Sequence, residues 1–138
     1  MIKTLGMAAC VMALAACASQ EASNDPLDLM SGGRFKGAQL EKALAEAAKH
    51  KLDSEQNPVR ADFPPGQRAY LSRLRCADGK APAFQRAGSM GAGVFGSIVD
   101  AYDVTCAGST PAKSVIIMDM YFPGYVEKQA FEGFTIAP

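Results

Sequence analysis

The segment SVIIMDMYF (residues 114–122) decides how the rest of the chain is read. With a period of two, Ile116, Met118, Met120 and Phe122 fall on one side and form a wholly apolar face. A face of that kind needs a core to lie on. The turn-forming AGSTPAK (107–113) precedes it and the pair Pro123-Gly124 follows, so the expectation is one bounded strand. Working backwards, SIVDAYDVTC (97–106), APAFQRAG (81–88) and AYLSRLRC (69–76) are similar short runs with β-branched and aromatic residues, parted by GSMGAGVFG (88–96) and ADGKAP (77–82). Four consecutive antiparallel strands follow from this, with a fifth at FTIA (134–137).

Upstream of this region the period changes to that of a helix. In GAQLEKALAEAAKHKLD (37–53), Leu40, Ala43, Leu44, Ala47 and Ala48 recur on one side, and Lys49, His50 and Lys51 stand at the end where the macrodipole favours positive charge. The pattern predicts an amphipathic helix over 38–51 whose alanine stripe allows close approach to a sheet. Pro64-Pro65-Gly66, in ADFPPGQ (61–67), reads as a break before the strands. The expected fold is α+β: one N-terminal amphipathic helix packed on a four- to five-stranded antiparallel meander, forming a single domain over 37–138.

The chain has 138 residues, with 14 basic and 14 acidic residues and no run of either sign. That balance gives no footprint for a phosphate backbone, so no nucleic-acid partner is expected. The N-terminus reads MIKTLGMAACVMALAAC: one positive charge at Lys3, an apolar segment from Leu5 to Leu14, then small residues, the layout of a secretory signal peptide. The apolar stretch falls short of the roughly 20 residues that span a bilayer.

Within it, Leu14-Ala15-Ala16-Cys17 resembles the lipobox of bacterial lipoproteins. The resemblance implies that residues 1–16 are a signal peptide, that Cys17 receives a diacylglycerol, and that its new amino group is acylated. The alternative is an ordinary signal peptide cut after Ala16 or Ala18. Two or three acyl chains hold a protein to a membrane far more firmly than one. Ala18, rather than aspartate, after the cysteine implies the inner leaflet of the outer membrane in a Gram-negative envelope. Residues 18–36, rich in Ser, Asn, Asp and Gly, then read as a flexible tether that completes the segment 17–36.

Cys76 and Cys106 remain, and in an exported chain such an even pair is expected to form a disulfide. A metal site lacks ligands, because His50 is the only histidine; no cofactor is implied. GAGVFG (91–96) matches G-x-G-x-x-G, but strand-like residues follow where a dinucleotide site needs a helix, so it reads as a hairpin loop. Met90, Val94 and Phe95 at that loop are a candidate contact surface or fold back onto the core. Asp103 and Asp119 are expected as diagonal neighbours on one sheet face, with Asp100 on the other. With Arg73 and Arg75 nearby they form a candidate ligand face; ordinary ion pairs with Arg73, Arg75 or Arg86 are the structural alternative.

These readings converge on an envelope lipoprotein that acts as a non-catalytic interaction or assembly accessory, held by membrane lipid and meeting an envelope protein. A small-ligand or cation-binding module on the Asp103/Asp119 face is the rival.

Overall fold

The computed structural model describes residues 32–138; Cys17, the expected leader and most of the expected tether lie outside the described residues. Among the described residues, two helices and seven strands follow one another as α1 (Gly37–Ala47), β1 (Val59–Asp62), α2 (Phe63–Arg73), β2 (Leu74–Arg75), β3 (Ala83–Ala92), β4 (Ile98–Thr105), β5 (Lys113–Asp119), β6 (Tyr121–Val126) and β7 (Thr135–Ile136). The fold is α+β. None of the described helices is long and apolar enough to cross a membrane.

The sheet is mixed, not a pure meander. Its order is β3-β4-β5-β1-β6, with β3, β4 and β5 antiparallel in sequence but β1 parallel to β5 and antiparallel to β6. The reason lies in residues 114–122. The chain leaves the ladder at Met120, and β6 begins on the far side of β1, so that β1 slots between two pieces of what reads as one strand. The apolar face is divided accordingly. Ile116 and Met118 enter the main core, whereas Phe122 joins a different cluster.

The stretch 69–76 is the second correction. Most of it is helix, because Pro64 and Pro65 occupy the first turn of α2, where a missing N–H costs nothing and the fixed φ suits a helix. From there Gln67, Tyr70, Leu71 and the cap residue Leu74 recur at helical spacing and are all buried. Tyr70, Leu71 and Leu74 cover Val59, Ala61, Tyr102, Val104, Ile116 and Met118 of the sheet, with Phe131 closing the cluster. Removing one such side chain from a closed core costs about 2–5 kcal/mol.

α1 stops at Ala47, short of the expected residue 51. His50 N–H donates to the Ala47 carbonyl and Lys49 N–H to that of Glu46, three-residue turns that tighten the end. Its Leu40, Ala43, Leu44 and Ala47 meet Phe95, Phe122 and Tyr125. The alanine stripe therefore rests on a loop ring and one sheet edge, while α2 covers the sheet. The C-terminal strand expected at 134–137 is β7, which pairs with β2 outside the main sheet.

Cys76 and Cys106 are bonded, with Cα atoms 5.8 Å apart and a sequence separation of 30. The bond ties the end of β2 to the end of β4. A loop of that length contributes about 3–4 kcal/mol by restricting the unfolded chain.

Candidate functional site

The register of β4 and β5 decides what the carboxylates can do. Val99 faces Asp119, Asp100 faces Met118, and Asp103 faces Val115. Asp103 and Asp119 thus share a face with Asp100 opposite, but they are not diagonal neighbours. Four residues of β5 separate their positions, roughly 13 Å at the rise of a strand. Asp103 is exposed beside Lys113 and Val115 in a shallow groove of about 610 Å³, whereas Asp119 is fully enclosed. The arginines are elsewhere too. Arg73 donates to the Glu127 carbonyl oxygen at 2.6 Å, and Arg75 donates to the carbonyls of Ser72 and Leu74. The expected ligand face of Asp103, Asp119, Arg73 and Arg75 is not assembled, because α2 carries Arg73 into the other layer.

Asp119 is a structural anchor. The Ser97 hydroxyl donates to one of its oxygens and the Tyr121 N–H to the other at 2.9 Å, fixing the point where the chain crosses from β5 to β6. Burial pushes its carboxyl above the ordinary range, against the pull of Ser97, Tyr121 and the Arg34 charge.

The contact loop is reordered as well. Met90 is 47 % exposed and Val94 37 %, flanking a hollow of about 410 Å³ with Val99 at its back. Phe95, by contrast, is wholly buried edge-on against Phe122, with ring centroids 5.2 Å apart. The glycines make this possible. A Cβ on Gly96 (φ +86°) would lie 2.6 Å from the Phe35 ring, and one on Gly93 2.4 Å from Val99. The glycines of GAGVFG serve close packing and a left-handed turn, as a hairpin loop requires.

The polar groups that do converge line a cleft beside the first turns of α2. Its volume is about 460 Å³, with Pro64, Gln67 and Arg68 on the helix side, Asp100, Tyr102 and Met120 as floor, and Phe84, Gln85 and Arg86 from β3 opposite. Gln67 and Asp100 are buried. The Tyr102 hydroxyl donates to Gln67 Oε1 at 3.0 Å, Gln67 Nε2 donates to Asp100 Oδ2 at 3.2 Å, and Arg86 donates to Asp100 Oδ1 at 2.7 Å. Burial, with the nearby Asp100 charge, pushes the Tyr102 phenol up, so it stays neutral and donating; Arg86 and Arg68 oppose the shift. The Asp100 hydrogen bond and charge raise the Arg86 guanidinium, already basic. Phe63 has φ +53°, uncommon for a large side chain, and its N–H donates to the Met120 carbonyl at 2.7 Å, which locks the start of α2 to the cleft floor.

Of this group, sequence reasoning anticipated only an ion pair for Arg86. Gln67, Arg68 and Tyr102 escaped it, since no motif marks them. The one available signal was the proline pair as a helix start, which places Gln67 and Arg68 on a helix facing the sheet. Comparison with protein-family models, with curated proteins and with solved structures returns no match to this chain.

Proposed function

We propose that the chain is a lipid-anchored, non-catalytic binding protein of a bacterial envelope, moored through Cys17 and facing the periplasm from the outer membrane. The observation that carries this reading is the Cys76–Cys106 disulfide, which suits a domain folded in an oxidising compartment and agrees with the leader and lipobox upstream of it. The buried acids support the absence of catalysis. Asp119 holds a strand crossover, Asp100 holds α2 to β3, and Glu127 accepts from the N–H groups of Lys128 and Gln129 and from the Tyr125 hydroxyl. His50 sits exposed just past the end of α1.

The surface for a protein partner is the exposed pair Met90 and Val94. The test is the intact mass of membrane-extracted protein. The expected mass is that of the chain from Cys17 carrying two or three acyl groups and lacking two hydrogens at the cysteine pair; an unacylated chain cut elsewhere sinks the reading. Photo-crosslinking in cells from Val94, not from the enclosed Phe95, is expected to recover one defined envelope protein.

A further inference from the structure

We infer that the cleft between α2 and β3–β4 is a binding site for a small carboxylate with an apolar body, gripped by Arg68 and by the free side of Arg86. The inference rests on the reading of the domain as a binding module and names the chemistry it takes. Three observations lead to it.

The first is shape. A cleft of about 460 Å³ falls in the range of small-molecule sites, and its opening is bounded largely by carbon, from Pro64, Phe84, the Tyr102 ring and Met120. Such walls accept an alkyl or aromatic stem and reject a strongly hydrated one.

The second is charge. Two guanidiniums border the cleft against a single carboxylate, Asp100, so the rim carries an unbalanced positive charge. Arg68 is exposed, and its guanidinium makes no hydrogen bond or ion pair among the described residues. Arg86 spends one nitrogen on Asp100 and remains half exposed, and a guanidinium has five N–H donors in a planar fork. A planar carboxylate matches that fork with two parallel bonds.

The third is preorganisation. The floor is tied together before any ligand arrives, because Tyr102, Gln67, Asp100 and Arg86 form one continuous hydrogen-bonded chain. Asp100 cannot swing up to neutralise Arg68 without abandoning Gln67, which is 1 % exposed. The left-handed Phe63 at the head of α2 holds the helix wall at fixed height over Met120. Little ordering is left to be done on binding, which favours affinity for a small ligand.

The test uses the full chain in phosphatidylcholine nanodiscs, labelled with ¹³C at its methionine methyls, with Met120 assigned through Met120→Leu. Hexanoate is titrated in, with 1-hexanol as its neutral counterpart. The expected result is a saturable shift of the Met120 methyl with hexanoate and binding of hexanol at least tenfold weaker. Arg68→Gln is expected to weaken hexanoate about tenfold, the effect of losing one charge-assisted hydrogen bond, and to leave hexanol unchanged. Lys128→Gln, outside the cleft, is expected to change nothing. Both sites are exposed, so an unaltered melting temperature certifies each variant. The inference is overturned if hexanoate gives no saturable shift, if hexanol binds as tightly, or if Arg68→Gln has no effect. None of these outcomes touches the acyl anchor, which the intact mass alone decides.

Discussion

Asp100 and Asp119 stand on neighbouring strands one step apart in register, yet they live in opposite kinds of environment. Asp119 takes the backbone N–H of Tyr121 at the crossover and the buried hydroxyl of Ser97 just before β4, and has no solvent exposure. Asp100 takes a glutamine from α2 and an arginine from β3, both long side chains, and one of them is half in water. The contrast shows how this fold divides labour between carboxylates of equal chemistry. A partner supplied by the backbone fixes the chain, whereas partners supplied by long side chains join layers and leave charge at a surface. Burial alone does not separate the two; the source of the donors does.

The largest effect that tests this contrast comes from truncation. Asp119→Ala leaves the Tyr121 N–H and the Ser97 hydroxyl buried without an acceptor, and is expected to cost about 2–4 kcal/mol in urea unfolding. Asp100→Ala releases Arg86 to water and strands only Gln67 Nε2, so about 1–2 kcal/mol is expected. If the two variants unfold at the same urea midpoint, the distinction between Asp119, held in part by a backbone N–H, and Asp100, held by long side chains alone, fails. A related, smaller effect is expected of Tyr102→Phe, which removes one donor to Gln67 and costs about 1 kcal/mol.

Protonation sharpens the same comparison. The folded-state carboxyl of Asp119 is raised, chiefly by desolvation, so the folded protein holds a proton there that the unfolded chain has released. Its contribution to stability is therefore fully present below the ordinary aspartate value near 3.9 and is lost as pH rises through the raised one. Asp119→Asn keeps an acceptor for Tyr121 and carries no charge. The wild type is expected to lose stability relative to this variant as pH rises from about 4 towards neutrality, read as converging or crossing melting curves. Parallel curves across that interval would exclude the titration of Asp119.

How much of this was legible beforehand follows from which interactions are local. α1 announced itself through Leu40, Ala43, Leu44 and Ala47, and the antiparallel run β3–β4–β5 through alternation and turn residues, because both patterns are written in adjacent positions. β1 was invisible. It spans four residues, two of them Arg60 and Asp62, and its place beside β5 depends on a parallel pairing with residues nearly sixty positions away. α2 was misread because Gln67 stands where an apolar residue would reveal the period, and because prolines read as a break also serve as a helix start. The disulfide was legible from compartment and parity. The cleft was not, since Gln67, Arg68, Arg86 and Tyr102 come from three separate elements that only the mixed topology brings together.

The smallest expected effect concerns a third carboxylate, Asp53, which belongs to neither class. It lies in the loop after α1 with φ +76°, and partial burial, opposed by Lys51 and reinforced by Glu132, pushes its carboxyl up to about 6. No side-chain donor to it appears among the described residues, in contrast to both Asp100 and Asp119, so no hydrogen bond offsets the desolvation. By the same sign rule, the stability that Asp53 contributes is present below about pH 3.9 and lost as pH rises through about 6. Asp53→Asn removes the charge and suits the left-handed backbone, which asparagine tolerates well. It is expected to stabilise the fold at neutral pH by a few tenths of a kcal/mol, the size left once solvent screening of a partly exposed group is allowed for. At pH 4 the gain is expected to vanish. A gain that persists undiminished there would belong to the backbone preference of asparagine rather than to the buried charge, and the two are separated by Asp53→Gly, which relaxes the backbone and removes the carboxylate without offering a new side chain.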